Sequence, residues 1–103
     1  MDTMSPEPLV LHVIVRMAGT KVQAHCLELD IVSGGLTREE ALSDITELVK
    51  VQFEVARDRN NLDNLFFPAP PEYWRALARA RLVGAPIPVA ATGLTLQEFA
   101  IDS

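Results

Sequence analysis

The segment Cys26–Leu42 constrains the fold of this chain more than any other part of the sequence. It contains the end of one strand, the run Ile31–Ser33, which begins with two β-branched residues, and the pair Gly34–Gly35, where positive φ costs little. Thr37 is a strong N-cap residue, and Glu40 follows it at the spacing of a capping box, so that hydroxyl and carboxylate satisfy each other's backbone donors. The segment predicts a short strand followed directly by a helix.

The residues before this segment predict a β-hairpin from Leu9 to Leu29. Its first strand, Leu9–Arg16, is rich in valine and isoleucine, which favours a strand with a buried face. A turn centred on Ala18–Gly19 places His12 opposite His25. In the second strand, apolar and polar side chains alternate, which predicts one buried face and one solvent-exposed face. The apolar residues are Val22, Ala24 and Cys26, and the polar ones are Lys21, Gln23 and His25.

One long amphipathic helix is predicted from about Arg38 to Arg59, because apolar residues recur there at helical spacing. Val51 and Val55 make its apolar stripe wider than a three-stranded sheet requires. We interpret both as candidate oligomer contacts, since surplus apolar surface often marks an interface, and a small sheet with open edges also favours a dimer or tetramer. Ordinary packing beneath the C-terminal segment is the alternative.

The chain after Asn61 predicts shorter elements. Leu65–Phe67 lies in a proline-broken connection and is expected to pack against the core. A second, short helix is predicted over 71–82, because proline and an acid suit its first turn. We expect Gly84–Pro88 to be an extended linker and Leu94–Ile101 a final strand, with a short helix as the alternative.

The fold class predicted by these elements is α+β, with a small antiparallel sheet (a β-β-β-α core) covered by one long helix. The length of 103 residues suits a single domain. We expect a flexible leader at 1–8 and one domain at 9–103, divided into a core at 9–60 and a C-terminal extension at 61–103.

The net charge of −5 argues against generic binding of nucleic acid and suits a basic partner, although it also serves solubility alone. The single cysteine, Cys26, cannot form an intramolecular disulfide, and the first residues lack the pattern of a signal peptide. These features predict a cytoplasmic protein. No apolar stretch approaches the ~18–20 residues that cross a bilayer, so no membrane association is expected.

Two histidines facing each other across a hairpin could share a metal ion. No third ligand lies on the two strands before Glu28, so we predict ordinary histidines, no metal and no cofactor. Cys26 and His25 are neighbours in a strand and project to opposite faces, which excludes a Cys–His nucleophile. A hydrolase using His12, His25 and Glu28 is a minor alternative, in which a chelator or His25→Ala would abolish activity.

Four acids near the turns before and after the third strand are the candidate partner-binding residues, as an acidic rim: Glu28, Asp30, Glu39 and Glu40. A solvated, charged loop explains them equally well. Three arginines form a local basic patch that could hold phosphate or RNA: Arg75, Arg79 and Arg81. We favour a simpler role for the patch, in which it stabilises a helix C-terminus and stacks on Trp74.

A longer motif joins the second strand to the helix: Ala24-x-Cys26-Leu27-Glu28-Leu29-Asp30-Ile31-Val32-Ser33-x-Gly35-x-Thr37-x-Glu39-Glu40-Ala41-Leu42. In this motif, and in the order strand, strand, strand, helix, the chain resembles the HicB-like antitoxin family. The resemblance covers Leu9 to Arg59. It implies a partial ribonuclease H fold and a partner, the HicA toxin, which is a small basic protein that cleaves RNA.

The chain also departs from that family. Many members have Asp-Leu-Pro-Gly-Cys between the second and third strands, where this chain has Leu27-Glu28-Leu29-Asp30. Members that repress their own operon add a DNA-binding module, and the residues after Asn61 predict none. Ribonuclease H catalysis needs several carboxylates on metal ions, yet the strand Leu9–Arg16 holds none, so no catalytic residue is predicted.

The sequence therefore predicts a non-catalytic, antitoxin-type protein that binds and neutralises an RNA-cleaving toxin. The alternative is a stand-alone, oligomeric HicB-like scaffold or small-ligand-binding module without a toxin.

Overall fold

The computed structural model describes residues 9–101, and the predicted leader at 1–8 lies outside this range. The elements follow the order β1 to β3, α1, a short 3₁₀ turn, α2, β4 and β5. Their bounds are β1 Leu9–Ala18, β2 Lys21–Cys26, β3 Ile31–Gly35, α1 Arg38–Asp58, the 3₁₀ turn Leu62–Asn64, α2 Pro71–Leu77, β4 Arg81–Pro88 and β5 Leu94–Ala100. The α+β class, the β-β-β-α core, the long helix and the C-terminal strand are confirmed.

The sheet is larger than the predicted one and is mixed, with the order β3-β2-β1-β5-β4. All neighbours are antiparallel except β1 and β5, which run parallel. The expected linker Gly84–Pro88 is part of strand β4, which pairs with β5 and has an irregular register between Val83 and Ile87. The sequence does not predict this strand because glycine and proline are uncommon in strand interiors. Both are tolerated here because β4 lies at the edge of the sheet. The C-terminal extension therefore completes the sheet.

The register of the first hairpin differs from the predicted one by two residues. Ala18 pairs with Lys21, so the turn consists of Gly19 and Thr20, and Gly19 has φ +69°. Two-residue turns that use positive φ match the twist of paired strands, which explains the shift. His25 consequently faces Ile14 rather than His12.

The sheet is covered on both faces. On one face, the odd-numbered residues of β1 pack with β2, β5 and α1 in the main core, whose members include Leu11, Val13, Ala24, Cys26, Ile45, Val49 and Leu96. On the other face, Ile14, Leu27 and Ala69 form a smaller cluster with residues of α2 such as Tyr73 and Trp74. Alternation along β1 places His12 on the same face as Ile14, which is the α2 face. His25 lies on this face too, because it pairs with Ile14.

The start of α1 confirms the predicted cap in part. Thr37 Oγ1 accepts the backbone N–H of Glu40 at 3.1 Å, but the Glu40 carboxylate accepts the N–H of Leu36, at 2.9 Å, rather than that of Thr37. The expectation that Gly34 and Gly35 serve a turn with positive φ is wrong, because neither residue adopts positive φ. A Cβ added at Gly35 would lie 2.7 Å from the Glu40 Cβ, so this glycine permits α1 to start against β3.

Two predictions for the segment between the core helix and β4 are wrong in detail. Helix α2 ends at Leu77, because the chain turns and Leu82 instead pairs with Phe99 in the sheet. Leu65 is buried as expected, but Phe66 and Phe67 are exposed. The connection is held by its backbone, through the Phe67 N–H, which donates to the carbonyl of Glu28 at 3.0 Å.

Candidate functional site

The turn between β2 and β3 supplies two carboxylates that bind two imidazoles on the α2 face. Glu28 Oε2 lies 2.6 Å from His12 Nδ1, and Glu28 Oε1 accepts the backbone N–H of His12 at 2.8 Å. Glu28 therefore holds both the ring and the backbone of His12. The sequence indicated His12, His25 and Glu28 as a minor catalytic alternative, but it did not predict the pairing.

The second pair joins His25 and Asp30, with 2.7 Å between Nε2 and Oδ1. Asp30 has φ +53°, a left-handed conformation that aspartate adopts more readily than most residues. This conformation lies at the end of the turn and allows the carboxylate to reach back to β2. The Tyr73 ring meets His25 edge-on, with 4.7 Å between ring centroids.

Aromatic rings from β5 and α2 surround the two pairs. Phe99 stacks on His12 with 5.5 Å between centroids, and Trp74 meets the same imidazole edge-on at 6.2 Å. The Trp74 indole N–H donates to the carbonyl of Ala69 at 3.0 Å, which fixes the ring. The Glu28–His12 pair therefore ties the β2–β3 turn to β1, and the Asp30–His25 pair ties it to β2. Aromatic residues of α2 pack against both imidazoles.

A small pocket opens beside His25 and is lined in part by Arg16, Gln23 and Tyr73. Its volume is about 20 Å³, enough for about one water molecule. A carboxylate that orients an imidazole suits general-base chemistry, which also needs a substrate within reach. Within residues 9–101, no hydrogen bond joins either imidazole to a hydroxyl or thiol.

The four predicted acids do not form one rim. Glu28 and Asp30 precede β3 and bind histidines, whereas Glu39 and Glu40 follow it at the start of α1. The five residues of β3 separate the two pairs by roughly 13–16 Å of extended chain. Glu39 and Glu40 are exposed, and with Asp44 and Glu47 they make the first three turns of α1 acidic on the outside.

Arg38 compensates part of this acidic surface, because its Nη1 donates to Glu39 Oε2 at 3.3 Å. Arg38 makes its shorter contacts with Glu98 of β5. Its Nε and Nη2 lie 2.5 and 2.6 Å from the two carboxylate oxygens. Glu98 is buried, with 3% of its side chain exposed, and its carboxylate raises the pKa of the Arg38 guanidinium. Sequence reasoning missed this pair. The available signal was one acid in the otherwise uncharged strand Leu94–Ala100.

Cys26 lies in the core, as expected of a small apolar residue. Burial raises the pKa of its thiol to about 12, and the nearby Glu28 carboxylate adds to the rise. The thiol is therefore protonated at neutral pH, and neutral thiols are poor nucleophiles and poor metal ligands.

Val51 and Val55 remain exposed, each with 42% of its surface accessible, and Leu48 joins them at 39%. The C-terminal strands pair with β1 and with each other, so they do not cover these side chains. Of the arginine patch, Arg75 lies in the last turn of α2, Arg79 follows the helix and Arg81 begins β4. Arg75 and Arg79 therefore do not share one helix face.

Among the described residues, no group of three or more histidine, cysteine, aspartate or glutamate side chains is placed to hold a metal ion. No helix in residues 9–101 is both long enough and apolar enough to cross a membrane.

Comparison of the chain with protein-family models, with curated proteins and with solved structures finds no match.

Proposed function

We propose that this chain is a non-catalytic, HicB-like antitoxin-type protein that binds a small basic RNA-cleaving toxin. The observation that carries the proposal is the outer edge of β3, which lies beside the acidic start of α1. An edge strand offers unpaired backbone groups to an incoming strand. Exposed acids next to it favour a positively charged partner and disfavour a negatively charged one.

The arrangement of residues 9–58 supports the proposal. Three antiparallel strands and a long helix follow one another in the order that the resemblance implies. The close seating of the helix start on Gly35 fixes Glu39 and Glu40 next to the open edge. Glu28 and Asp30 contribute less to such a surface, because each already binds a histidine.

The absence of catalysis is also part of the proposal. Rings from α2 and β5 surround the two histidine–carboxylate pairs, and the pocket beside His25 has room for about one water molecule. These contacts suit a structural role that holds the β2–β3 turn, and with it the start of β3, in one conformation.

The test is a pull-down of the tagged full chain from its native host, followed by quantitative mass spectrometry. We expect one small basic protein in near-stoichiometric amount. The double variant Glu39→Lys with Glu40→Gln should lower its recovery about tenfold or more, since two acids next to the edge are lost. Glu40→Gln keeps an oxygen for the Leu36 N–H. Glu72→Lys, at an exposed acid of α2, is the matched control.

An empty bait would contradict the proposal and favour the stand-alone oligomeric module. Equal recovery of the basic protein by the double variant and the control would show that the partner binds elsewhere than beside β3.

A further inference from the structure

The exposed stripe of α1, which we define as Leu48, Val51 and Val55, is apolar and uncovered within residues 9–101. Its members lie three and four residues apart, so they share one side of the helix. That side is adjacent to the side that faces the sheet, where Ala41, Ile45 and Val49 are buried. The stripe is therefore additional to the surface that the fold itself requires.

The stripe is bounded by opposite charges at equal distances. Asp44 lies four residues before Leu48, and Arg59 lies four residues after Val55. Both are exposed, and neither forms an ion pair within the described part of the chain. The two pairs 44 with 59 and 48 with 55 have the same midpoint, between Val51 and Gln52. A second copy in antiparallel orientation would thus place acid beside base at both ends, whereas a parallel copy would place like charges together.

A groove with a volume of about 160 Å³ lies at the C-terminal end of the stripe. Val55 and Ala56 of α1 and Leu65 line it in part, but most of its lining residues are polar, namely Gln52, Arg59, Asn61 and Asn64. The groove therefore suits the polar border of an interface, beside the contact of acid with base, rather than a pocket for a leucine side chain.

We infer that the stripe is a self-complementary dimer interface, in which α1 packs antiparallel on α1 of a second copy with Leu48 opposite Val55 and Asp44 opposite Arg59. Such an isologous contact closes on itself and forms a dimer rather than a chain of subunits. The inference does not rest on the proposed function, because Glu39, Glu40 and the β3 edge are outside the interface.

The test measures the mass of the full chain by sedimentation equilibrium over a dilution series. We expect a monomer–dimer equilibrium that Val51→Lys abolishes. Asp44→Arg and Arg59→Asp should each raise the dissociation constant about tenfold or more, because each replaces two attractive contacts per dimer by repulsive ones. An equimolar mixture of these two variants should dimerise as well as the unmodified chain, since each copy supplies the charge that the other needs.

Glu72→Arg is the control, because it reverses an exposed acid away from α1. Circular dichroism and thermal unfolding should be unchanged in all these variants, whose positions are on the surface. A monomer at every concentration would overturn the inference, and so would a dimer that Val51→Lys does not weaken. Failure of the mixture to recover dimerisation would overturn the proposed register.

Discussion

The thiol of Cys26 couples the stability of the protein to alkaline pH. Its pKa is about 12 in the folded chain, against an ordinary value of 9.0, because burial disfavours the thiolate. The stabilisation that follows from the buried neutral thiol is complete below pH ~9 and is lost as the pH rises towards ~12, where the unfolded chain releases the proton and the folded chain keeps it.

We therefore expect unfolding in urea to show a loss of about 2 kcal/mol between about pH 8 and pH 10.5 that Cys26→Ala removes. The quantity to compare is the change with pH in each protein, because the substitution also alters core packing at every pH. Other groups that titrate in this range are common to both proteins and cancel. Equal pH dependence in the two proteins would contradict the assignment.

At the scale of the element, one glycine and one ion pair fix the first turn of α1. Gly35 lets the first turn approach β3, and Arg38 connects the same turn to Glu98 across the sheet. Of the two glycines that end β3, only Gly35 is constrained. A Cβ at Gly34 would meet nothing closer than the Val22 carbonyl oxygen at 3.4 Å, an ordinary contact.

We expect Gly35→Ala to lower the free energy of unfolding by roughly 1–3 kcal/mol, the range for forcing an added methyl into a packed contact. Gly34→Ala is the matched control and should change stability by less than about 0.5 kcal/mol. Urea unfolding of both variants measures the difference. If the two substitutions had the same effect, the close approach of α1 to Gly35 would not be the constraint.

At the scale of the whole molecule, the core depends on the C-terminal strands. Leu94 and Leu96 of β5 are buried with Leu11 and Val13, and β5 pairs with β1 along seven positions. A chain that ends after Ala80 should therefore lack a cooperative thermal transition and should bind a hydrophobic dye. Leu96→Ala in the full chain is the control, since it should still unfold cooperatively, with a loss of about 2–5 kcal/mol. A cooperative transition in the shortened chain would contradict this dependence.

The periodicity of apolar residues predicts individual helices and strands well, but it predicts poorly which strands pair with each other. The helical spacing in α1 correctly predicts that Ala41, Ile45 and Val49 are buried. The alternation in β2 correctly predicts the buried apolar face, but the prediction of a solvent-exposed opposite face is wrong at His25, which is buried against Tyr73 of α2. Strand β4 was not predicted, because Gly84, Pro86 and Pro88 are residue types that disfavour a strand. Its strand conformation depends instead on pairing with β5, which is a tertiary contact. The histidine–carboxylate pairs depend on the exact residue at which the hairpin turns and on the left-handed φ of Asp30. The spacing of apolar residues along the sequence indicates neither of these features.

The parallel pairing of β1 with β5 has a consequence for how the chain folds during synthesis. Leu9 pairs with Leu94, so the central strand is made well before β5, which is its second neighbour in the sheet. Contacts between such distant residues close slowly and keep an apolar strand edge open meanwhile. We expect the nascent chain to reach its stable form only after β5 has left the ribosome, and products that terminate before β5 to be recognised by chaperones and proteases rather than to accumulate as folded fragments.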